Sequence, residues 1–255
     1  MIMDFKDFYR WAYRYFGLDL NAYKQAQLTR RIENLMNRIG VKDLREYINI
    51  LENDKEEKQK FLDFITINVT EFFRNPNLFE ELENLLKKEY FSKDKSINIW
   101  SAACSIGCEP YSIAMILKEN NIKNYNIIAT DIDQTILAKA KEGIYSDLEI
   151  KNMNKKYLKY FTKRDSKYFL NDEIKRMVKF EKADLILDKY RKNFDLILCR
   201  NVVIYFNTET KNRIYKEFNK SLNDRGLLFI GATECIYNAN QLGFRKNSTF
   251  IYRKV

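Results

Sequence analysis

The 255-residue chain reads as an α/β protein whose N-terminal part is all helix. Three observations lead there. Apolar residues recur at three- and four-residue spacing across positions 5–90, the mark of amphipathic helices. Beyond position 96, short apolar runs of strand length alternate with helical stretches, the pattern of a parallel sheet with helices on its faces. A content of 45% hydrophobic and 15% aromatic residues is enough for a packed core, which argues against disorder.

Taken in order, Phe5, Phe8, Tyr9, Ala12 and Phe16 lie on one helical face, and Gly17 ends that run. Asn21 is expected to cap a second helix carrying Leu28, Ile32, Leu35 and Ile39, stopped by Gly40. Leu44, Tyr47, Ile48 and Leu51 predict a third, and Phe61, Leu62, Ile65 and Ile67 a fourth. Asn75-Pro76 reads as an N-cap followed by proline at the first helical position. After the polar connector SKDKS (92–96) come the strand-like runs Ile97–Trp100, Tyr125–Thr130, Phe194–Cys199 and Gly226–Ala232. Helical stretches PYSIAMILKE, QTILAKAKE and ETKNRIYKEFNKSL separate them, and FRKNSTFIYRKV closes the chain as a strand or hairpin. The rhythm lapses from Tyr160 to Phe180, where short alternations suggest an antiparallel insertion. The expected organisation is a helical domain over 1–75 and a Rossmann-like domain over 76–255, with a β insertion near 160–182.

Composition narrows the chemistry. No window holds the ~18 uninterrupted apolar residues of a membrane span, and the N-terminus lacks the apolar core of a signal peptide, so a cytoplasmic protein is expected. The chain has no histidine, which excludes Ser-His-Asp and Cys-His catalysis and every histidine metal site. Four cysteines with only one close pair, Cys104 and Cys108, make neither a disulfide framework nor a four-cysteine zinc site, and no metal is expected. The formal charge of +10 is spread out, without the aromatic-basic interleaving of a single-strand platform. A solvated, lysine-rich surface accounts for that charge, and an acidic partner stays open.

In an open parallel sheet, ligands bind beyond the carboxyl ends of the strands. The first such position carries SAACSIGCEPYS (Ser101–Ser112), with one glycine where a dinucleotide loop uses three. Glu109, at the start of the next helix, would repel a phosphate and attract an ammonium or sulfonium. Asp131 follows the second run, 24 positions beyond Gly107, near the ~20 that separate such a loop from an acid on ribose hydroxyls. A cationic amino-acid nucleoside, S-adenosylmethionine (SAM), fits both acids.

Four stretches in order, NVTEFFR (Asn68–Arg74), WSAACSIGCEPYS (Trp100–Ser112), ATDID (Ala129–Asp133) and CRNVVIYF (Cys199–Phe206), resemble the CheR-type chemotaxis receptor methyltransferases. These are SAM-dependent protein-glutamate O-methyltransferases, and the resemblance covers nearly the whole chain. It implies a Rossmann-like SAM-dependent methyltransferase domain with a β insertion behind a helical domain, with SAM as cofactor and S-adenosylhomocysteine as product. By the resemblance, Asn68, Thr70 and Arg74 line the cofactor site, Glu109 holds the amino group and Asp131 the ribose. Asp184 and Leu185 hold adenine, and Arg200, Asn201 and Tyr205 close the site near the methyl group. Blander readings of the same residues remain: Arg200 and Asn201 as helix caps, Tyr205 and Phe206 as core, Cys104 and Cys199 as small buried hydrophobes. Three departures stand out. Cys108 replaces a common glutamate, Asp184 a common asparagine, and GATE (Gly231–Glu234) lacks the family's frequent histidine.

An acceptor carboxylate with pKa ≈ 4.3 is ionised at neutral pH and needs no general base, so a histidine-free enzyme is chemically consistent. Arg74 and Tyr205 are the expected orienting groups. The expected partner is the cytoplasmic helical domain of chemotaxis receptors, met by a monomer whose basic stretch, with Lys24, Arg30, Arg31 and Arg38 against Glu33, steers acidic methylation helices. Competing functions are methylation of another substrate, such as nucleic acid, and a non-catalytic SAM-binding module. Because TKRDSKYFLND (162–172) has no glycine, a tight hairpin with an open edge is not expected there, and receptor recognition should not depend on a bound tail peptide.

Overall fold

The computed structural model describes residues 3–66, 69–91 and 96–255, and the chain divides into two units. Met1–Asn68 with Tyr205–Arg213 make one, and Val69–Ile204 with Ile214–Val255 the other.

In the first unit, helices α1 (Phe5–Phe16), α2 (Gln25–Arg38), α3 (Leu44–Asn53) and α4 (Lys55–Thr66) form from the periodic apolar residues. Phe8, Tyr47 and Phe61 are fully buried, with the Phe8 ring 6.2 Å from Tyr47 and 6.0 Å from Phe61, so an aromatic cluster makes this core. Asp4 caps α1 and Asp43 caps α3 through side-chain acceptance of backbone amides. The expected cap at Asn21 is wrong. Asn21 lies in a 3-10 turn, Leu20–Ala22, capped by Asp19, and α2 starts after Lys24 with no side-chain cap. The reason is long-range: the Lys24 amide donates to the Tyr205 carbonyl at 3.0 Å and the Asn207 amide to the Ala22 carbonyl at 2.9 Å, holding this stretch extended. Ile67 lies outside the described residues.

The second unit opens with α5 (Pro76–Leu86), then β1 (Ile97–Ala102), α6 (Cys108–Glu119), β2 (Tyr125–Asp131) and α7 (Gln134–Glu142). Next come β3 (Ile144–Tyr145), α8 (Asp147–Ile150), β4 (Phe161–Arg164), β5 (Lys167–Leu170), α9 (Asp172–Lys175) and β6 (Val178–Lys182). The chain ends with β7 (Phe194–Cys199), α10 (Thr208–Ser221), β8 (Leu222–Ile230), β9 (Phe244–Lys246) and β10 (Ile251–Lys254). Seven strands form one sheet in the order β6-β2-β1-β7-β8-β10-β9. Strands β6, β2, β1, β7 and β8 are parallel, and the closing hairpin β9–β10 adds antiparallel to β8. Successive strands run outward from β1 to β2 and β6, then resume on the other side at β7. The topological switch point therefore lies between β1 and β7, where such sheets open a crevice for ligands. Helix α6 is buried on almost every face, as expected for a helix that is apolar all round.

The small antiparallel sheet has the order β3-β5-β4, while Val178–Lys182 belongs to the large sheet beside β2. One expectation fails here. Strands β4 and β5 make a tight hairpin, with Arg164 opposite Lys167 across a two-residue turn. Asp165 takes φ 51 in that turn, supplying the positive φ for which glycine is the usual residue. Absence of glycine did not prevent the hairpin. Within the described residues β4 pairs on one side only, so the ground for excluding a tail peptide is gone. Among the described residues no helix is long and apolar enough to cross a membrane.

Candidate active site

Six of the residues singled out in the sequence, Glu109, Asp131, Asp184, Leu185, Arg200 and Asn201, lie at or just beyond the carboxyl ends of β1, β2, β6 and β7, while Thr70 and Arg74 precede α5. After β1 the chain turns through Ala103 (φ 60), Ser105 (φ 50) and Gly107 (φ 87) before α6 begins. A loop with one glycine thus adopts three left-handed residues, two of them strained by roughly 1–2 kcal/mol each. At Gly107 the requirement is double: its φ is positive, and a Cβ would stand 3.0 Å from the Tyr111 ring and 3.2 Å from both Ala140 and Phe180.

This turn delivers Glu109 to the first turn of α6, where the helix dipole favours an acid. The Ser101 hydroxyl donates to Glu109 Oε1 at 2.8 Å, and Arg200 Nη1 stands 3.7 Å from Oε2. Burial pushes the Glu109 carboxyl above its ordinary value, with Arg200 and Ser101 pulling the other way. Asp131, at the end of β2, is 6% exposed and accepts from the Ser105 amide at 2.8 Å and the Asp133 amide at 3.1 Å. Burial raises its carboxyl too, and those amides oppose the rise.

Arg200 follows β7 across the switch point, and its side chain is 3% exposed. Nη2 donates to the Arg74 carbonyl at 2.7 Å and to Asn75 Oδ1 at 3.1 Å, and the guanidinium lies 4.6 Å from the Phe229 ring centroid and 5.1 Å from that of Phe79. Arg200 therefore tethers the Arg74 turn and faces Glu109. That turn is itself strained, with Phe73 at φ 51 and Asn75 at φ 62. The Arg74 side chain reaches the Val69 carbonyl at 3.2 Å, and the Phe73 amide donates to the Ser112 hydroxyl at 3.0 Å. Thr70 hydrogen-bonds the buried Cys108 thiol. Cys104, Cys108 and Cys199 are buried, and burial pushes each thiol well above its ordinary value, so none is a nucleophile at neutral pH.

Asp184 and Leu185 follow β6 and are joined to the end of β2 by the Ala183 amide, which donates to the Asp131 carbonyl at 3.0 Å. Asp184 accepts from the Ile186 amide at 2.6 Å, and the Leu185 carbonyl accepts from the Tyr190 hydroxyl at 2.5 Å. Both residues line a cavity of about 300 Å³ with Trp100, Ile128 and Tyr190.

The structure thus gathers Arg74, Glu109 and Arg200 into one hydrogen-bonded and ionic group, and sets Asp131 and Asp184–Leu185 at neighbouring strand ends. Tyr205 is placed in the N-terminal unit, with the Arg31 guanidinium 5.8 Å from its ring centroid. Asn68 lies outside the described residues. Three residues were given no site role in the sequence reading: Asn75, read as an N-cap, whose side chain makes no cap bond and instead accepts from Arg200; Ser101, which holds Glu109; and Glu234. The Glu234 carboxylate accepts from the amides of Gly231, Asn201 and Val202 at 2.6, 3.1 and 3.1 Å. An acid four residues past the end of β8 was the available signal for it.

Comparison with known proteins decides the family. The model of the SAM-binding domain of CheR methyltransferases matches residues 68–251, and that of their all-alpha domain matches residues 3–66. The chain belongs to the CheR methyltransferase family. It is a SAM-dependent methyltransferase with the two domains of that family in order. A chemotaxis protein methyltransferase of Listeria innocua is 36% identical over 254 residues, covering 98% of this chain and 97% of that protein. One from Borreliella burgdorferi is 39% identical, covering 94% and 90%, and one from Escherichia coli is 33% identical, covering 87% and 80%. Among solved structures, a TehB-like SAM-dependent methyltransferase from Corynebacterium glutamicum matches 70% of this chain and 95% of its own, with 14% identity and a TM-score of 0.39.

The CheR site residues fit SAM. Asn201 Oδ1 is buried with no hydrogen-bond partner in the protein. Glu109 has its paired cation only at 3.7 Å, which leaves capacity for an ammonium group.

Proposed function

We propose that this CheR methyltransferase esterifies glutamate side chains on the acidic methylation helices in the cytoplasmic domain of chemotaxis receptors, yielding glutamate methyl esters and S-adenosylhomocysteine. The observation that carries the cofactor half is a pair of carboxylates raised by desolvation, half-buried Glu109 in the first turn of α6 for the amino group and buried Asp131 at the end of β2 for the ribose hydroxyls. The receptor half rests on the relatives named chemotaxis protein methyltransferase.

Bound SAM supplies an electrophilic methyl group: an acceptor carboxylate oxygen forms the new bond to carbon while the carbon–sulfur bond breaks and its electron pair stays on sulfur. The chain's own residues bind and orient. Glu109 holds the amino-acid end of the cofactor and Asp131 its central ribose, Asn201 Oδ1 offers one further acceptor, and Asp184 with Leu185 receives adenine. Arg74, whose turn Arg200 holds, orients the acceptor carboxylate. No residue has to take a proton, because the acceptor is already ionised. Positioning nucleophile and methyl within roughly 3–3.5 Å is the main catalytic contribution.

Arg74→Ala tests the division of labour. Turnover should fall at least tenfold while S-adenosylhomocysteine affinity changes less than threefold, on the order of one lost charge-assisted contact made to the acceptor alone. Equal losses in both would make Arg74 a cofactor ligand and remove it from acceptor orientation.

A further inference from the structure

Glu234 belongs to none of the roles above, yet it is a carboxylate only 6% exposed at the edge of the site. It ends the turn that follows β8, with its own amide donating to the Gly231 carbonyl at 3.0 Å. From there its side chain folds back beneath the turn. Oε2 accepts from the Gly231 amide at 2.6 Å and the Asn201 amide at 3.1 Å, and Oε1 from the Val202 amide at 3.1 Å. One carboxylate thus joins the loops that leave two adjacent parallel strands, β7 and β8, just past the paired Cys199 and Ile230.

The loop it grips is strained. Asn201 has φ 60, a left-handed conformation that an L-residue holds only when the surroundings demand it. Its Oδ1 is buried and unpartnered within the protein. Removing the carboxylate would leave the amides of Gly231, Asn201 and Val202 without this acceptor and would free Asn201 to return to ordinary backbone space. Gly231 completes the device, since a Cβ there would stand 2.8 Å from both the Asn201 nitrogen and Glu234 Oε2. A carboxylate in so buried a place is costly, and a neutral side chain would satisfy packing alone.

We infer that Glu234 is a positioning residue for methyl transfer: its carboxylate clamps the Asn201–Val202 backbone so that the Asn201 amide oxygen is held in place for a hydrogen-bond donor of the cofactor. The inference rests on the reading of Asn201 as a cofactor contact. It does not make Glu234 a ligand itself, because its oxygens are spent on backbone amides.

The test is a double-mutant cycle on the full chain, with Glu234→Gln, Asn201→Ala and the pair, read by calorimetric titration of S-adenosylhomocysteine. Glutamine keeps the shape, offers one acceptor oxygen in place of two, and turns an NH2 toward an amide donor. Each single change should weaken binding about tenfold, the size of one lost charge-assisted hydrogen bond, and the double should be no more than about threefold worse than Asn201→Ala alone. In steady state, Glu234→Gln should raise KM for SAM and leave KM for a receptor fragment unchanged. Gly231→Ala serves as the second route, wedging a methyl group between the Asn201 nitrogen and Glu234 Oε2 while keeping the carboxylate itself, and should show the same non-additivity with Asn201→Ala. Independent, multiplying effects would make Glu234 a merely structural residue, and unchanged binding in Glu234→Gln would also overturn the inference while leaving the Asn201 reading intact. If Asn201→Ala itself binds normally, the Asn201 reading fails and the role of Glu234 falls with it.

Discussion

Carboxylates resist burial, because desolvation disfavours the charged form. Asp131 and Glu234 are nonetheless buried and Glu109 half-buried beyond the same group of strands, and desolvation raises all three above their ordinary values. For a carboxyl whose folded pKa is raised, the fold binds more protons than the unfolded chain between the ordinary value and the raised one, so its contribution to stability declines as pH rises through that window. Cofactor binding has the opposite sign, since an ammonium and a ribose diol need the ionised acids. Affinity for S-adenosylhomocysteine should therefore be full near neutral pH and fall as pH drops through the raised values, already above the ordinary carboxylate range. In Glu109→Gln the fall should be shallower, and titration calorimetry over a pH series would show it. A pH-independent affinity down to the ordinary range contradicts this. Asp131→Ala should weaken the same ligand at least tenfold, in line with ~1.5–3 kcal/mol for a hydrogen bond to a charged group. The sequence exposed Asp131 because it directly follows a strand-like run, and Glu109 because it opens the helix after the loop that leaves the first run. The roles of Asn75 and Glu234 were not legible, since each is set by a partner distant in sequence: Asn75 Oδ1, for example, accepts from Arg200 across 125 positions.

At the level of elements, the turns that carry the site adopt left-handed backbone at Phe73, Asn75, Ala103, Ser105 and Asn201. Periodicity cannot show this, and glycine counting misled in the same way at Asp165, where a hairpin formed without glycine. Asn75 offers a measurable case, as it combines φ 62 with acceptance from Arg200. Asn75→Ala adds roughly 1–2 kcal/mol of left-handed strain and leaves an Arg200 donor short of a partner, worth ~1–3 kcal/mol. Asn75→Gly loses the hydrogen bond alone. Urea unfolding should rank alanine as the more damaging, and the reverse order would place the importance of Asn75 elsewhere. Helix α2 presents Arg30 and Arg38 to solvent, with Glu33 among them. Methylation of a receptor fragment should fall steeply with added salt, because exposed charges are screened over ~8–10 Å. Arg30→Glu with Arg38→Glu should lower kcat/KM for the fragment and spare S-adenosylhomocysteine affinity. Salt-insensitive rates would remove the helix from substrate capture.

For the whole molecule, alternating strand runs and helices were enough to anticipate a parallel sheet, and four ordered motifs to anticipate the CheR family. Where each side chain turns was not available from either. Arg200 was expected to close the site near the methyl group, while its guanidinium is folded against Phe79 and Phe229 and faces Glu109. The central claim is that a histidine-free site transfers methyl to an already ionised carboxylate. Incubation with methyl-labelled SAM and a receptor cytoplasmic fragment, followed by mild alkali, tests it most directly. Label should enter the fragment on glutamate residues and be released by alkali as methanol, the mark of a methyl ester, with none transferred to RNA or DNA. Alkali-stable label on the fragment, or label on nucleic acid, would contradict the account.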